Sequence, residues 1–286
     1  MVLPNGNRME NSMNDKISLA GDLGSGKSTV SRILTEKLGF DYFSTGAIVR
    51  AMAAERGLTV VEMNEYMEKR PEMDREIDDR LVALSDDPRA LVIDSRMAFH
   101  FVRDTFRVYF STDIETSAAR IMSDHRSEES FATVEETAEN IRRRKASERK
   151  RYFDFYGVDC KDLHQYDLVV DTTYATPEEI ADQMIAAFEC WKQNHSYRAC
   201  FLSPCRPLYP EDINMEEAVR LSELLSCGVN FAPIQVFEED GVFYVSPTSA
   251  DIAVAYSLTN AVFLPCEIVE GKHPADESYV PMADSL

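Results

Sequence analysis

Short apolar runs alternate with stretches of helical periodicity over the first two thirds of the chain. The runs predict strands at 16–20, 40–46, 90–94, 107–110 and 166–171, and the periodic stretches predict helices at 30–38, 47–53, 59–69, 75–84, 114–124, 133–155 and 176–191. Because strands and helices alternate, the pattern predicts an α/β fold with a parallel sheet that is covered by helices on both faces.

Two of these helices carry a start signal. Thr133 is followed by Glu136, and Thr176 is followed by Glu179 with Pro177 between them. In each pair the Thr is predicted to cap the helix while the Glu reaches back to the capping residue.

The pattern changes after about residue 196. It now predicts short strands, a helix capped by Asn214, a hairpin of 234–237 and 242–245, a second helix and a strand at 263–269. We therefore expect a flexible tail at 1–14, a main domain at 15–195, a small separate α+β module at 196–270 and a flexible tail at 271–286.

Composition and charge limit the kind of protein. The 286 residues carry a net charge of −20, which disfavours binding to nucleic acid or to an anionic membrane. The six cysteines show no C-x-x-C spacing, and no apolar run has the length of a membrane span. We expect a cytoplasmic protein with reduced thiols and no signal peptide.

A glycine-rich motif joins the first predicted strand to the first predicted helix. Residues 21–28 fit the phosphate-binding pattern G-x-x-x-x-G-K-S/T in the strand–loop–helix context that the motif requires. A helix N-terminus attracts anions, and glycines let the backbone wrap closely around a phosphate. The residues expected to bind the phosphates are Gly21, Gly24, Ser25, Gly26, Lys27, Ser28 and Thr29, with Lys27 on the β- and γ-phosphates and Ser28 as a Mg²⁺ ligand. A glycine-rich turn that matches by chance is the alternative.

Seven cations fall within ten residues of the helix predicted at 133–155. They are Arg142, Arg143, Arg144, Lys145, Arg149, Lys150 and Arg151. At about 100° per residue, Arg142, Lys145 and Arg149 share one face of the helix. The cluster predicts a lid at about 124–159 that stabilises charge on a transferred phosphoryl group. A solvated charged face is the alternative, and the net charge disfavours nucleic-acid binding.

Several motifs follow one another in a specific order. After the phosphate-binding loop come 43–50, with Ser44, Gly46 and Arg50, then 71–80, 93–98 and 144–158. This order resembles the cytidylate kinase-like family, in particular its short, archaeal-type branch, over about 16–191. The resemblance implies a P-loop nucleoside monophosphate kinase fold and the transfer of the γ-phosphoryl group of ATP, with Mg²⁺, to CMP or dCMP.

The resemblance also implies residue roles. Lys27, Arg149 and Arg151 would be catalytic. The residues implied for the monophosphate site are Ser44, Gly46, Arg50, Asp74, Asp78, Asp94 and Arg96. Among them, Arg96 would face the acceptor phosphate, and Asp74 and Asp78 would contact the cytosine edge.

Three positions depart from the family pattern. The family usually has Gly where Ser95 stands, and small residues or proline where Asp22 and Leu23 stand. Asp22 places a negative charge beside a phosphate site, which would weaken ATP binding.

The C-terminal module carries a weaker resemblance. Pro233-Ile234, Asp240-Gly241 with Tyr244, and Pro265 with Glu267 are similar to the ParB/sulfiredoxin-like domain over about 198–270. The Gly-His-x-Arg turn of that family is replaced by 246–250, which contains neither His nor Arg. We expect a degenerate module for packing, homodimerisation or regulation, or one that only stabilises the chain.

Two other functions stay open. One is a P-loop kinase that acts on another monophosphate or a small metabolite, and the other is a non-catalytic nucleotide-binding switch whose C-terminal module meets a partner. The cation cluster favours a kinase, because a switch has less use for seven cations beside the phosphates.

Overall fold

The computed structural model describes residues 15–59, 62–63, 66–67, 70–123, 133–275 and 277–282. The predicted tail at 1–14 and the start of the predicted lid, 124–132, lie outside these residues. So does much of the helix predicted at 59–69, although its residues Met63 and Met67 are described and buried.

The described residues form eleven strands and nine α-helices. The strands are β1 (Lys16–Gly21), β2 (Asp41–Ser44), β3 (Leu91–Asp94), β4 (Phe106–Ser111), β5 (Leu168–Asp171), β6 (Ala199–Leu202), β7 (Leu208–Pro210), β8 (Ile234–Glu239), β9 (Val242–Val245), β10 (Leu264–Ile268) and β11 (Tyr279–Pro281). The helices are α1 (Lys27–Leu38), α2 (Thr45–Arg56), α3 (Pro71–Ala83), α4 (Ala98–Phe101), α5 (Ile114–Ser123), α6 (Val134–Tyr156), α7 (Pro177–Asn194), α8 (Met215–Ser226) and α9 (Ala250–Leu258).

All described strands belong to one sheet, in the order β11-β7-β9-β8-β10-β6-β5-β4-β1-β3-β2. The six strands from β2 to β6 in that order are mutually parallel, which confirms the predicted α/β fold. Strands β1 and β5 are buried along their whole length, as expected for parallel strands with helices on both faces.

The two faces of the parallel strands bury two different cores. On β4, Phe106, Val108 and Phe110 point to the face covered by α1 and α7, where Trp191 is also buried. Tyr109 points to the opposite face, because successive residues of a strand alternate. The core on the Tyr109 face lies under the phosphate-binding loop and extends to the C-terminal strands.

The C-terminal module continues the sheet of the main domain. Strand β6 pairs in parallel with β5 and antiparallel with β10. Tyr109 and Val169 share one core with Val236 and Phe243 of the module. The sequence predicts a separate module at this position, and in the structure its strands extend the sheet without a break.

A buried charge pair also joins the two parts. Asp171 ends β5 with no exposed surface, and its carboxylate accepts from Ser203 N at 3.1 Å and Thr173 Oγ1 at 2.6 Å. Arg206 Nε lies 3.7 Å from Asp171 Oδ1, and the same guanidinium donates to Gly241 O at 2.8 Å. The carboxyl end of β5 is thus tied to the β8–β9 turn.

Some predicted boundaries differ from the structure. Helix α2 begins at Thr45 rather than at 47, since the Ser44 side chain caps it by accepting from Ala47 N. Helix α3 begins at Pro71 rather than 75, and a proline suits the first turn of a helix. Strand β11 lies inside the predicted tail at 271–286 and pairs with β7, which the sequence pattern did not predict.

Candidate active site

The phosphate-binding loop has the backbone geometry that its glycines permit. Gly21, Gly24 and Gly26 have φ values of 141°, 67° and 76°. A Cβ on Gly21 would lie 2.4 Å from Phe110 O, and one on Gly24 would lie 2.6 Å from Ser117 O. Only glycine fits at these two positions, because the loop passes directly against the backbone of β4 and α5.

Lys27 begins α1 and folds back over the loop. Its Nζ donates to Asp22 O at 2.6 Å, Ser25 Oγ at 3.0 Å and Gly21 O at 3.2 Å. Burial, together with the positive charge of Arg96, lowers the pKa of Lys27 to about 8. Ser28 and Thr29 are exposed on the first turn of the same helix.

Two of the implied monophosphate residues meet at the carboxyl ends of β2 and β3. Ser44 and Asp94 are register partners in this strand pair. Tyr42 Oη donates to Asp94 Oδ2 at 3.0 Å. A Cβ on Gly46 would lie 3.3 Å from Arg50 Nη1, so the glycine leaves room for that guanidinium. Ser44, Gly46, Arg50 and Asp94 therefore form one group beside the end of β1.

The lid helix α6 reaches this sheet edge through Glu148. This carboxylate pairs with Arg96, which follows β3, and accepts from Arg144 Nε at 3.2 Å. Arg96 and Glu148 are both largely covered. The structure thus brings Arg96, one of the implied acceptor-phosphate residues, against the lid.

The two implied lid arginines have different surroundings. Arg149 is half exposed, and its Nε donates to Asp159 Oδ1 at 2.9 Å. Arg151 lies with its guanidinium carbon 5.2 Å from the ring centre of Tyr152, and its Nη2 donates to Tyr152 Oη at 3.4 Å.

Other cations of the cluster point away from the loop. Arg142 and Arg143 pair with Glu139, and Lys150 pairs with Asp154, all on the exposed side of α6. For these three residues the solvated-face alternative is the better description. Lys145 is the lid cation that reaches the phosphate-binding loop, where it pairs with Asp22.

The acidic helix α3 approaches the end of the lid helix. Tyr156 Oη donates to Asp78 Oδ2 at 2.7 Å. Burial raises the pKa of Asp78, against the opposing effect of the Tyr156 hydrogen bond. Asp74 carries a negative charge near both Asp78 and Arg151. Sequence reasoning missed Tyr156, which lies in the motif at 144–158 but carries no signal for its partner.

Asp22 has buried partners that sequence reasoning did not predict. Its carboxylate is buried, accepts from Tyr109 Oη and Thr112 N at 3.0 Å each, and pairs with Lys145 and Lys161. Burial opposes the charged form, but the two lysines outweigh burial and hold the pKa of Asp22 well below its usual range. The carboxylate beside the phosphate site is therefore a negative charge with two positively charged partners.

The described part of the chain offers neither a preformed metal cluster nor a membrane-spanning helix. No group of three or more His, Cys, Asp or Glu side chains there has an arrangement suited to holding a metal ion. None of the described helices combines the length and apolar character needed to cross a membrane.

A phosphate-binding loop at the carboxyl edge of a parallel sheet, faced by a cation-rich helix, defines a P-loop kinase. The chain belongs to the cytidylate kinase-like family, whose family model matches residues 16–174. The resemblance predicted from the sequence is confirmed for this part of the chain.

Curated relatives show how far the similarity extends. The cytidylate kinase of Halorubrum lacusprofundi is 38% identical over 177 residues, which cover 61% of this chain and 90% of the relative. That of Methanothermobacter thermautotrophicus is 37% identical over 156 residues, 54% of this chain and 94% of the relative. An S-adenosylmethionine-dependent nucleotide dehydratase of Lacinutrix mariniflava is 38% identical over 178 residues, but the match spans only 36% of that protein.

Proposed function

We propose that the protein is a nucleoside monophosphate kinase that transfers the γ-phosphoryl group of ATP to CMP or dCMP. The observation that carries the proposal is that two groups of residues suited to bind phosphate lie close together at one edge of the sheet. Lys27 and the loop stand at the end of β1, Ser44 ends β2, and Arg50 and Arg96 follow β2 and β3 in the chain. The archaeal cytidylate kinases among the relatives support the same reaction.

The reaction requires positioning and charge neutralisation more than proton transfer. An oxygen of the acceptor phosphate attacks the γ-phosphorus, and the bond from that phosphorus to the β–γ bridging oxygen breaks, which leaves ADP. The acceptor oxygen is already a nucleophile, so no strong general base is needed. We assign the phosphates of ATP to the loop N–H groups and Lys27, the acceptor phosphate to Arg50 and Arg96, and the transferred group to Arg149 and Arg151.

The residues at the loop fit Mg²⁺, which prefers oxygen ligands and retains water molecules. The Ser28 hydroxyl is exposed on the first turn of α1, and the negative charge of Asp94 acts on Lys27. Ser28 would ligate the ion directly. When bound, Mg²⁺ neutralises charge on the β- and γ-phosphate oxygens.

The preference for cytosine is supported by the acidic helix α3. The exocyclic amino group of cytosine is a hydrogen-bond donor, whereas uracil presents an acceptor at the same place. A carboxylate therefore selects cytosine over uracil. We assign this contact to Asp78, which Tyr156 orients, with Asp74 beside it.

We also propose that the C-terminal module, which we interpret as a degenerate ParB/sulfiredoxin-like domain, stabilises the kinase part. The core that it shares with the main domain supports this role. We also propose a homodimer through the module, which sedimentation of the full chain tests. All six cysteines are free thiols, which supports a location in the reducing cytoplasm.

The function is tested by Mg²⁺-dependent release of ADP from ATP across CMP, dCMP, UMP, AMP and GMP, with Lys27→Ala as control. We expect turnover with CMP or dCMP that is lost in the control. Turnover with another monophosphate alone would reassign the acceptor. ATP binding without turnover on any monophosphate would favour another acceptor or a nucleotide-binding switch.

A further inference from the structure

Three parts of the chain meet at the Asp22 carboxylate. Asp22 itself belongs to the phosphate-binding loop, Lys145 comes from the lid helix α6, and Lys161 follows that helix after a turn. Lys145 Nζ lies 2.9 Å from Asp22 Oδ1, and Lys161 Nζ donates to the same oxygen and to Tyr109 Oη. One loop residue thus holds two lysines that come from outside the loop.

Rigid groups hold the carboxylate in place. Tyr109 donates to it from β4, and the Thr112 N–H directly after that strand donates to Oδ2. The backbone N–H of Asp22 also donates to Phe110 O at 2.9 Å. The position of the two lysine ammonium groups is therefore fixed against the sheet rather than against a mobile surface.

Three lysine ammonium groups converge on Asp22, and Asp94, Asp159 and Glu238 also act electrostatically on Lys27 or Lys161. Lys27 Nζ donates to the carbonyl oxygen of Asp22, so three ammonium groups surround a residue that supplies one carboxylate. The side chains of Lys145 and Lys161 keep 22% and 28% of their surface exposed. Ammonium groups beside a phosphate-binding loop are suited to bind the oxygens of a triphosphate.

We propose that Asp22 is a positioning residue that holds Lys145 and Lys161 beside Lys27, and that these two lysines bind the phosphates of ATP. The proposal rests on the use of ATP in the proposed function. It reverses the expectation that Asp22 weakens ATP binding. Asp22 acts through the lysines, whereas Lys145 and Lys161 contact the nucleotide.

The test is calorimetric titration of ATP into wild type, Lys145→Met, Lys161→Met and Asp22→Asn, without acceptor, followed by steady-state kinetics with CMP. Each lysine variant should raise the Kd of ATP about 10-fold or more, the value of one hydrogen bond to a charged group. The KM of CMP should stay within about 2-fold, since a positioning defect at the loop affects one substrate.

Asp22→Asn should also raise the Kd of ATP. Adding Lys145→Met to Asp22→Asn should raise it little further, because the lysine is already misplaced. The matched control is the exposed pair of Lys37 and Asp182 on α1 and α7. Lys37→Met and Asp182→Asn remove the same groups from the surface and should leave the Kd unchanged.

The proposal is overturned if Lys145→Met and Lys161→Met are folded and bind ATP like the Lys37→Met control. In that case the Asp22 pairs serve stability only. If Asp22→Asn does not fold, the two lysine variants decide the matter, because each of them leaves the Asp22 carboxylate one lysine partner. Wild type that binds ATP but phosphorylates no monophosphate would refute the proposed function, and the titrations would still decide this inference.

Discussion

The replacement Arg206→Met tests whether the sheet is one cooperative structure. Arg206 lies in the C-terminal part and faces Asp171, a fully buried carboxylate at the end of β5. The replacement keeps an apolar side chain of similar reach but removes the charge. It leaves Asp171 with its hydrogen bonds from Thr173 and Ser203 and without a counter-ion.

The expected loss of unfolding free energy follows from the geometry of the Arg206–Asp171 pair. Two unit charges 3.7 Å apart attract by about 4 kcal/mol at an effective dielectric constant of about 20. The hydrogen bond from Arg206 to Gly241 O adds about 1 kcal/mol, while the loss of a guanidinium that was itself desolvated offsets part of the total. We expect the free energy of unfolding to fall by about 3 kcal/mol at pH 8.

The loss should depend on pH. Burial raises the pKa of Asp171, an effect that the Thr173 hydrogen bond and the Arg206 charge oppose. Since the native pKa lies above the unfolded one, a charged Asp171 costs stability as pH rises through the native pKa, and the cost disappears as pH falls. Without Arg206 the native pKa rises further, so the deficit of the variant should shrink between pH 8 and pH 5.

Denaturant unfolding followed by the fluorescence of Trp191 and by circular dichroism measures this effect. Trp191 belongs to α7 and is buried in the core between α7, α1 and the sheet, so its signal reports on the main domain, although the mutation lies in the module. Arg220→Met, which removes an exposed arginine paired with Glu217, is the control. A deficit equal to that of the control, or one that stays constant with pH, would refute the reasoning.

Three other predictions concern the site. Gly24→Ala should lower kcat/KM for ATP at least about 100-fold in steady-state assays, because its Cβ would meet Ser117 O at 2.6 Å. Tyr156→Phe should raise the KM of CMP about 10-fold and leave that of ATP unchanged, since it removes one hydrogen bond to the Asp78 carboxylate; equal changes in both constants would contradict this. The pKa of Lys27 lies near 8, so ATP affinity in a pH titration should fall above pH 8 as the ammonium loses its proton, and a flat profile to pH 9 would contradict this.

Local rules predicted the loop and the threonine caps at the starts of α6 and α7. The side chain of Thr176 accepts from Glu179 N, and Glu179 accepts from Thr176 N, as the four-residue pattern requires. The glycines of the phosphate-binding loop adopt the positive φ values that their spacing indicates. At these places residues close in sequence determine the conformation, so the local sequence is sufficient to predict it.

Pairings between distant residues could not be predicted. The chain holds 50 acidic and 30 basic residues, and nothing local shows that Glu148 meets Arg96 or that Asp22 meets Lys145. The strands β7 and β11 are three residues long, too short for an alternating pattern, and exist only through tertiary pairing. The continuity of the sheet also depends on such pairing at the edge of β5.

The antiparallel pairing of β6 with β10 has a consequence for synthesis on the ribosome. About sixty residues separate the two strands in the chain. Their synthesis takes roughly 3–12 s at translation rates of about 5–20 residues per second. During that interval β6 can already pair with β5, and its other edge exposes free N–H and C=O groups. An exposed edge of this kind is a template for pairing with a neighbouring nascent chain. The yield of folded protein should therefore be sensitive to expression rate and temperature, while the finished fold has this edge covered.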